Sequence, residues 1–207
     1  EQHAQKLVDP EKCKTFAYIR ESKKIIFNNH NDYYFFDPVD KKTDLICKNA
    51  AEMIIDTRHK TFITVTADLD SRLNIFYKNN QVFSVENAFG IYTDRNYHNC
   101  FFFIEDDEIE KTDLYVIDLE LLEQKKLEQI NGLLQSANVV GDLLFLNINH
   151  DGYFYFYLYN LKQSALTLHH HIRSDNPVYA LLAPNGKKIA YTEEDEGRTV
   201  LSVFEID

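Results

Sequence analysis

Five short apolar stretches begin near Ile25, Phe62, Cys100, Leu143 and Ile189, each preceded and followed by other strand-forming runs. Their spacing is roughly forty residues, the period of a repeat that cannot bury its apolar face alone and must stack on its neighbours. The clearest copy is the last. Pro184-Asn185-Gly186 turns the chain, Lys187 to Thr192 forms a strand, Glu193 to Arg198 a charged loop, and Thr199 to Ile206 a second strand. Upstream copies keep the order: short runs rich in Phe, Tyr, Ile and Val, separated by Asn, Asp, Gly and Pro, which read as antiparallel meanders. The expected architecture is all-β, a five-bladed β-propeller of four-stranded antiparallel blades in one domain.

The expected blades are residues 15–49, 50–87, 88–131, 132–175 and 176–207. The fifth contains only three strand-capable runs. A closed ring leaves no raw sheet edge, so residues 1–12, with Ala4-Gln5-Lys6-Leu7-Val8 at their centre, are expected to supply the missing outer strand. One segment fits the plan poorly. Leu119 to Leu134 carries Leu119, Leu122, Leu127, Ile130, Leu133 and Leu134 at near-helical spacing, so a short inserted helix is an alternative there.

Two stretches carry a family likeness. Ala183-Pro184-Asn185-Gly186-Lys187-Lys188-Ile189-Ala190-Tyr191 and Asp113-Leu114-Tyr115-Val116-Ile117-Asp118-Leu119 resemble the two halves of the repeat of TolB-type propellers, a WD-repeat-like family. That family's blades read Ser-Pro-Asp-Gly-Lys-Lys-Ile-Ala-Tyr and then Asp-Leu-Tyr-Val-Met-Asp-Leu. Leu182 stands where the family usually has Trp or Phe, and the specific likeness covers a minor share of the chain. The resemblance implies the propeller fold and no particular task. TolB-type proteins carry six blades and a further domain, whereas five repeats are visible here.

The net charge is −11 at pH 7. No concentrated basic patch offsets it, so a nucleic-acid partner is not expected. The Lys-Lys pairs at 23–24, 41–42, 125–126 and 187–188 are scattered at strand mouths and read as solvated charges. No apolar run reaches membrane-spanning length, so no integral membrane segment is expected. Three cysteines, Cys13, Cys47 and Cys100, cannot all pair and read as free thiols. The residues alone assign no compartment. A removed export signal would make the chain periplasmic or secreted.

Sorting charge by loop gives the strongest functional pointer. The loops joining second to third strands together carry a formal charge of about −10, and the loops at the other end about +5. In a propeller the first set emerges on one face. Asp68, Asp70, Asp106, Asp107, Glu108, Asp151, Glu194, Asp195 and Glu196 are therefore the candidate binding residues, and a protein with a basic surface is the expected partner of a monomeric chain. No cofactor or metal is expected. Asp106, Asp107, Glu108 and Glu110 lack the order and the glycine of a calcium loop, as do Asp68 and Asp70. His169-His170-His171 offers at most two ligands from one strand face, because His170 points away. The alternative function is a five-bladed carbohydrate-active enzyme with axial carboxylates, for which Glu21, Glu52, Asp56 and Asp94 are the candidates. Against it stand the absence of Trp and the adequacy of Asp56 and Asp94 as turn formers.

Overall fold

The computed structural model describes residues 16–19, 23–56, 61–66, 72–77, 80–94, 98–106, 108–195 and 198–206. Among them are nineteen strands in five antiparallel sheets. The first sheet holds β1 (Phe16–Ile19), β2 (Lys24–Asn29), β3 (Asp32–Asp37) and β4 (Lys42–Cys47). The second holds β5 (Ala50–Asp56), β6 (Thr61–Thr66), β7 (Arg72–Tyr77) and β8 (Asn80–Glu86). The third holds β9 (Phe89–Thr93), β10 (Asn99–Asp106), β11 (Lys111–Asp118) and β12 (Glu123–Asn131). In the fourth are β13 (Leu133–Val140), β14 (Leu143–His150), β15 (Tyr153–Asn160) and β16 (Ala165–Arg173). The fifth has β17 (Ala180–Leu182), β18 (Lys188–Asp195) and β19 (Arg198–Glu205). Each sheet is a meander in chain order. The chain divides into two compact units, Glu1–Ile91 and Tyr92–Asp207.

Burial follows the pattern of side chains. The second strands of the third and fourth sheets are deeply buried: Leu144 to Ile148 in β14 and Cys100 to Phe103 in β10 are all buried. From Tyr153 to Leu158 in β15 burial alternates, with Phe154, Phe156 and Leu158 buried and Tyr153, Tyr155 and Tyr157 half-buried, until Tyr159, also buried, breaks the pattern. The fourth strands lie outermost. Charged β12 shows most of its residues to solvent.

The segment with helical spacing is not a helix. It forms a turn, β12 and the start of β13. Its apolar periodicity arises because Leu127 is an extra residue bulged out of the pairing with β11, which resets the alternation within β12. The same bulge recurs in each of the four described fourth strands: Ile46, Val82, Leu127 and His169 are each the residue left out of the pairing. A bulge twists an outer strand and spoils it as a template for foreign strands.

The turns repeat as closely as the strands. Asp37, Asp118 and Asn160 end the third strands of their sheets. Each accepts, through one side-chain oxygen, the backbone N–H groups two and three residues on. Four residues after each stands a left-handed residue, Lys41, Leu122 or Ser164. The second-to-third-strand loops are also anchored alike. The residue before the third strand accepts a backbone bond from where the chain enters the next sheet, either the connection or the first residue of its first strand: Ala50 N to Asn31 O at 2.7 Å, Gly132 N to Glu110 O at 2.6 Å, and Ser174 N to Gly152 O at 3.1 Å. Those loops and the inter-sheet connections therefore emerge at the same end of each of these three sheets.

In the second unit, side chains stitch the fourth sheet to the fifth. Asn138 donates to Leu182 O at 3.1 Å and accepts from Leu182 N at 2.9 Å. Ser136 donates to Ala180 O at 2.9 Å, and fully buried Asn147 to Val178 O at 2.7 Å. Beneath these bonds lies a core of Phe145, Phe154, Phe156, Ile189 and Tyr191, among others.

Candidate functional site

The loop end of the third and fourth sheets is built around the β10–β11 hairpin. Asp106 closes β10, and its Oδ1 accepts from Glu108 N at 3.2 Å and Ile109 N at 3.3 Å. Glu110 completes the turn in the left-handed region at φ 47°. This is the Asp-to-left-handed-residue turn of the third strands, used here one hairpin earlier. The hairpin is held firmly from below. Buried Thr112 donates to Gly132 O at 2.8 Å, and Glu105 Oε1 accepts from Leu134 N at 2.7 Å. At Gly132 (φ +103°) an added Cβ would meet Asn149 O at 2.4 Å and His150 Cβ at 2.8 Å. Only glycine permits so close a pass. The chain thereby presses the hairpin carrying Glu110 against the end of β14, where His150 sits.

His150 is followed by Asp151-Gly152, both with positive φ, the signature of a two-residue hairpin turn. Its ring lies between two carboxylates from different hairpins, with Nδ1 3.5 Å from Glu110 Oε2 and Nε2 3.6 Å from Asp151 Oδ2. Nδ1 is shielded from solvent and has no hydrogen bond among the described residues.

Beside this set opens a cleft of about 480 Å³. Glu105, Asp106, Glu108 and Asp113 line it with Lys111, Gln129 and two isoleucines. Lys126 reaches Asp113 at 2.5 Å, and Gln129 donates to the same carboxylate at 2.9 Å. Glu108 is exposed.

Of the residues singled out by loop charge, Asp106, Glu108 and Asp151 are thus placed on this end of the second unit. Asp106 and Glu108 share the cleft, and Asp151 meets Glu110 across His150. Asp68, Asp70, Asp107 and Glu196 lie outside the described residues. Glu194 and Asp195 end β18, paired with Thr199 and Arg198, and their side chains lie outside the described part. Neighbouring Glu193 accepts a hydrogen bond from Ser202 Oγ. Among the carboxylates considered for glycoside chemistry, Asp94 spends its oxygens locally, on His98 N and Asn99 Nδ2, both at 2.9 Å. Glu21 and the side chains of Glu52 and Asp56 lie outside the described part.

The paired lysines are tied to carboxylates. The second of each pair makes an ion pair: Lys24 with Asp37, Lys42 with Asp44, Lys126 with Asp113 and Lys188 with Glu205. Backbone N–H groups of Asp40 and Val39, helped by Lys24, hold the Asp37 carboxyl below its ordinary range, and Lys188 does the same for Glu205. Cys100 is a buried free thiol, and Cys47 is half-buried. Burial pushes Cys100 up to about 12, so it is inert in the folded chain. Cys13 lies outside the described residues.

The histidine run is split by packing. His170 stacks on Phe204 at 4.6 Å and touches Phe156 and Tyr191, while His171 stacks on Tyr155 from the other side. His169 is the bulged residue, so plain alternation does not reach it. Glu110 and His150 stand forty residues apart, and no local motif in the sequence joins them. Their shared position at the ends of equivalent loops in successive repeats is the signal that could have joined them.

No family model and no curated protein matches the sequence. Solved structures do match. Hydrazine synthase of Kuenenia stuttgartiensis is 12% identical, with a TM-score of 0.65 over 100% of this chain and 66% of that one. An oligogalacturonate lyase in complex with manganese is 10% identical, with a TM-score of 0.61 over 91% of this chain and 61% of that one. TolB of Acinetobacter baumannii is 13% identical, with a TM-score of 0.55 over 84% of this chain and 46% of that one. The chain thus spans about half to two-thirds of the length of these structures. No helix among the described residues is long and apolar enough to cross a membrane. At such identities the likeness speaks for the fold alone, and that fold is of the β-propeller kind.

Proposed function

We propose that the chain is a five-bladed β-propeller, closed by residues 1–12 pairing with β19, that works as a non-enzymatic protein-interaction module. Its acidic loop face, bearing Asp68, Asp70, Asp106, Asp107, Glu108, Asp151, Glu194, Asp195 and Glu196, receives a protein partner with a basic surface. The observation that carries this reading is the β10–β11 cleft of about 480 Å³, lined by four carboxylates and Lys111, with Lys126 paired to one of the four, Asp113. A recessed field of one sign raises the local concentration of the opposite charge and speeds capture. Neighbours of similar fold include a TolB and a lyase, so the fold permits enzymes as well as binders. The local engagement of Asp94 favours the binder.

The test uses the full chain and a Lys/Arg-rich peptide as probe. Association is expected to be fast at low ionic strength and to slow steeply as salt is added. Reversing charge at Glu108→Lys together with Asp107→Lys should slow it by about tenfold or more at low salt. An association rate that ignores both the salt and the reversal would remove the acidic face as a docking surface.

A further inference from the structure

We propose that Glu110, His150 and Asp151 form a binding site for a divalent transition-metal ion of the Zn²⁺ class. One ligand atom from each lies within 4.8 Å of the others. Zinc bonds its nitrogen and oxygen ligands at about 2.0–2.2 Å, so tetrahedral ligands sit about 3.4 Å apart. The 3.5 Å between His150 Nδ1 and Glu110 Oε2 already has that spacing. Asp151, whose side chain is 80% exposed, is free to swing its carboxylate onto the same ion.

Three further features favour an ion over a chance gathering of charges. The ligands come from two hairpins of different sheets, and their approach is built into the backbone. Gly132 leaves no room for a Cβ between them and bonds Glu110 O directly. Second, His150 Nδ1 is shielded from water and makes no hydrogen bond among the described residues, and what it faces is the Glu110 carboxylate at 3.5 Å, with a cation between them satisfying both. Third, a neutral imidazole with two carboxylates carries two negative charges, which a dication cancels. The imidazole also sets the class. Calcium takes hard oxygen ligands in sets of six to eight, whereas imidazole with carboxylate suits zinc and its neighbours.

The site does not rest on the docking reading, and its test can fail separately. Metal-free full-length protein is titrated with Zn²⁺ by calorimetry, and its melting temperature is measured with and without the ion. One Zn²⁺ per chain and a raised melting temperature are expected, because an ion that binds only the native state stabilises it. His150→Ala and Glu110→Gln should each weaken binding by more than about tenfold, and His171→Ala should leave it unchanged. Ca²⁺ at the same concentration should not compete. Should His150→Ala fold poorly, Glu110→Gln on the exposed hairpin decides alone. Zinc bound equally well by Glu110→Gln, or lost in His171→Ala, would overturn the assignment. So would the absence of binding.

Discussion

His170 shows how a single side chain can tie this fold to pH. Burial among Phe156, Tyr191 and Phe204 lowers its pKa, the neighbouring His171 lowers it further, and Glu193 pulls the other way. Burial lowers His169 as well. In the unfolded chain both titrate near the ordinary value of about 6.5. Between that value and the depressed folded one, the unfolded state binds more protons, so protons favour unfolding there. The stability is fully present above about pH 6.5 and is lost as pH falls through the folded pKa. The melting temperature should therefore drop between about pH 7.5 and pH 5, a window above the carboxylate range. His170→Phe should make that drop smaller, and an identical drop in the variant would acquit His170. In the sequence, His170 could be separated from its neighbours by alternation alone, and that much agrees with its packing. The bulge at His169 could not be foreseen, since it depends on pairing with β15. Asp106 and Glu108 were legible as exposed hairpin carboxylates because turn chemistry is local. Glu110 and His150 were not, because what joins them is the close pass at Gly132, a contact between sheets.

At the scale of elements, strand positions were the most legible property, since each depends on a few neighbouring residues. The near-helical run of Leu119 to Leu134 misled because a bulge imitates a helical period: one extra residue shifts the alternation, as a 3.6-residue repeat would. The stitching between sheets was invisible for another reason. Ser136 and Asn138 stand in β13 among Leu and Val, and nothing near them in the chain shows that β17 supplies their partners forty-four residues on. Asn138 holds both the carbonyl and the amide of Leu182, imitating one rung of a β-ladder where two sheets meet. Replacing it with alanine removes both bonds and leaves two backbone groups without these partners. Asn138→Ala should cost about 1–3 kcal/mol, read as a lower urea midpoint at an unchanged slope. A variant as stable as the parent would mean that water substitutes fully for the side chain.

At the scale of the whole molecule, the fifth sheet poses the remaining structural question. Among the described residues it has three strands where the others have four, and β19 forms its edge. Leu201 and Val203 of that strand are 72% and 56% exposed, an apolar row beside backbone groups with no further described strand to pair with. The other outer strands are bulged and β12 is charged besides, whereas β19 pairs with β18 in unbroken register. A smooth apolar edge invites another strand. Residues 1–12 are our proposed occupant, and one of the adjacent pair Leu7-Val8 would set its apolar side chain on the face of Leu201 and Val203, the other on the opposite face. Removing residues 1–12 should then lower the melting temperature by more than about 5 °C, a loss of only about 2 kcal/mol for a domain of this size. A separate peptide spanning residues 1–12 should restore part of that loss in a concentration-dependent way, while the same peptide with Leu7→Pro, which cannot join a ladder, should not. An unchanged melt on deletion, or equal rescue by both peptides, would mean that the fifth sheet is completed otherwise.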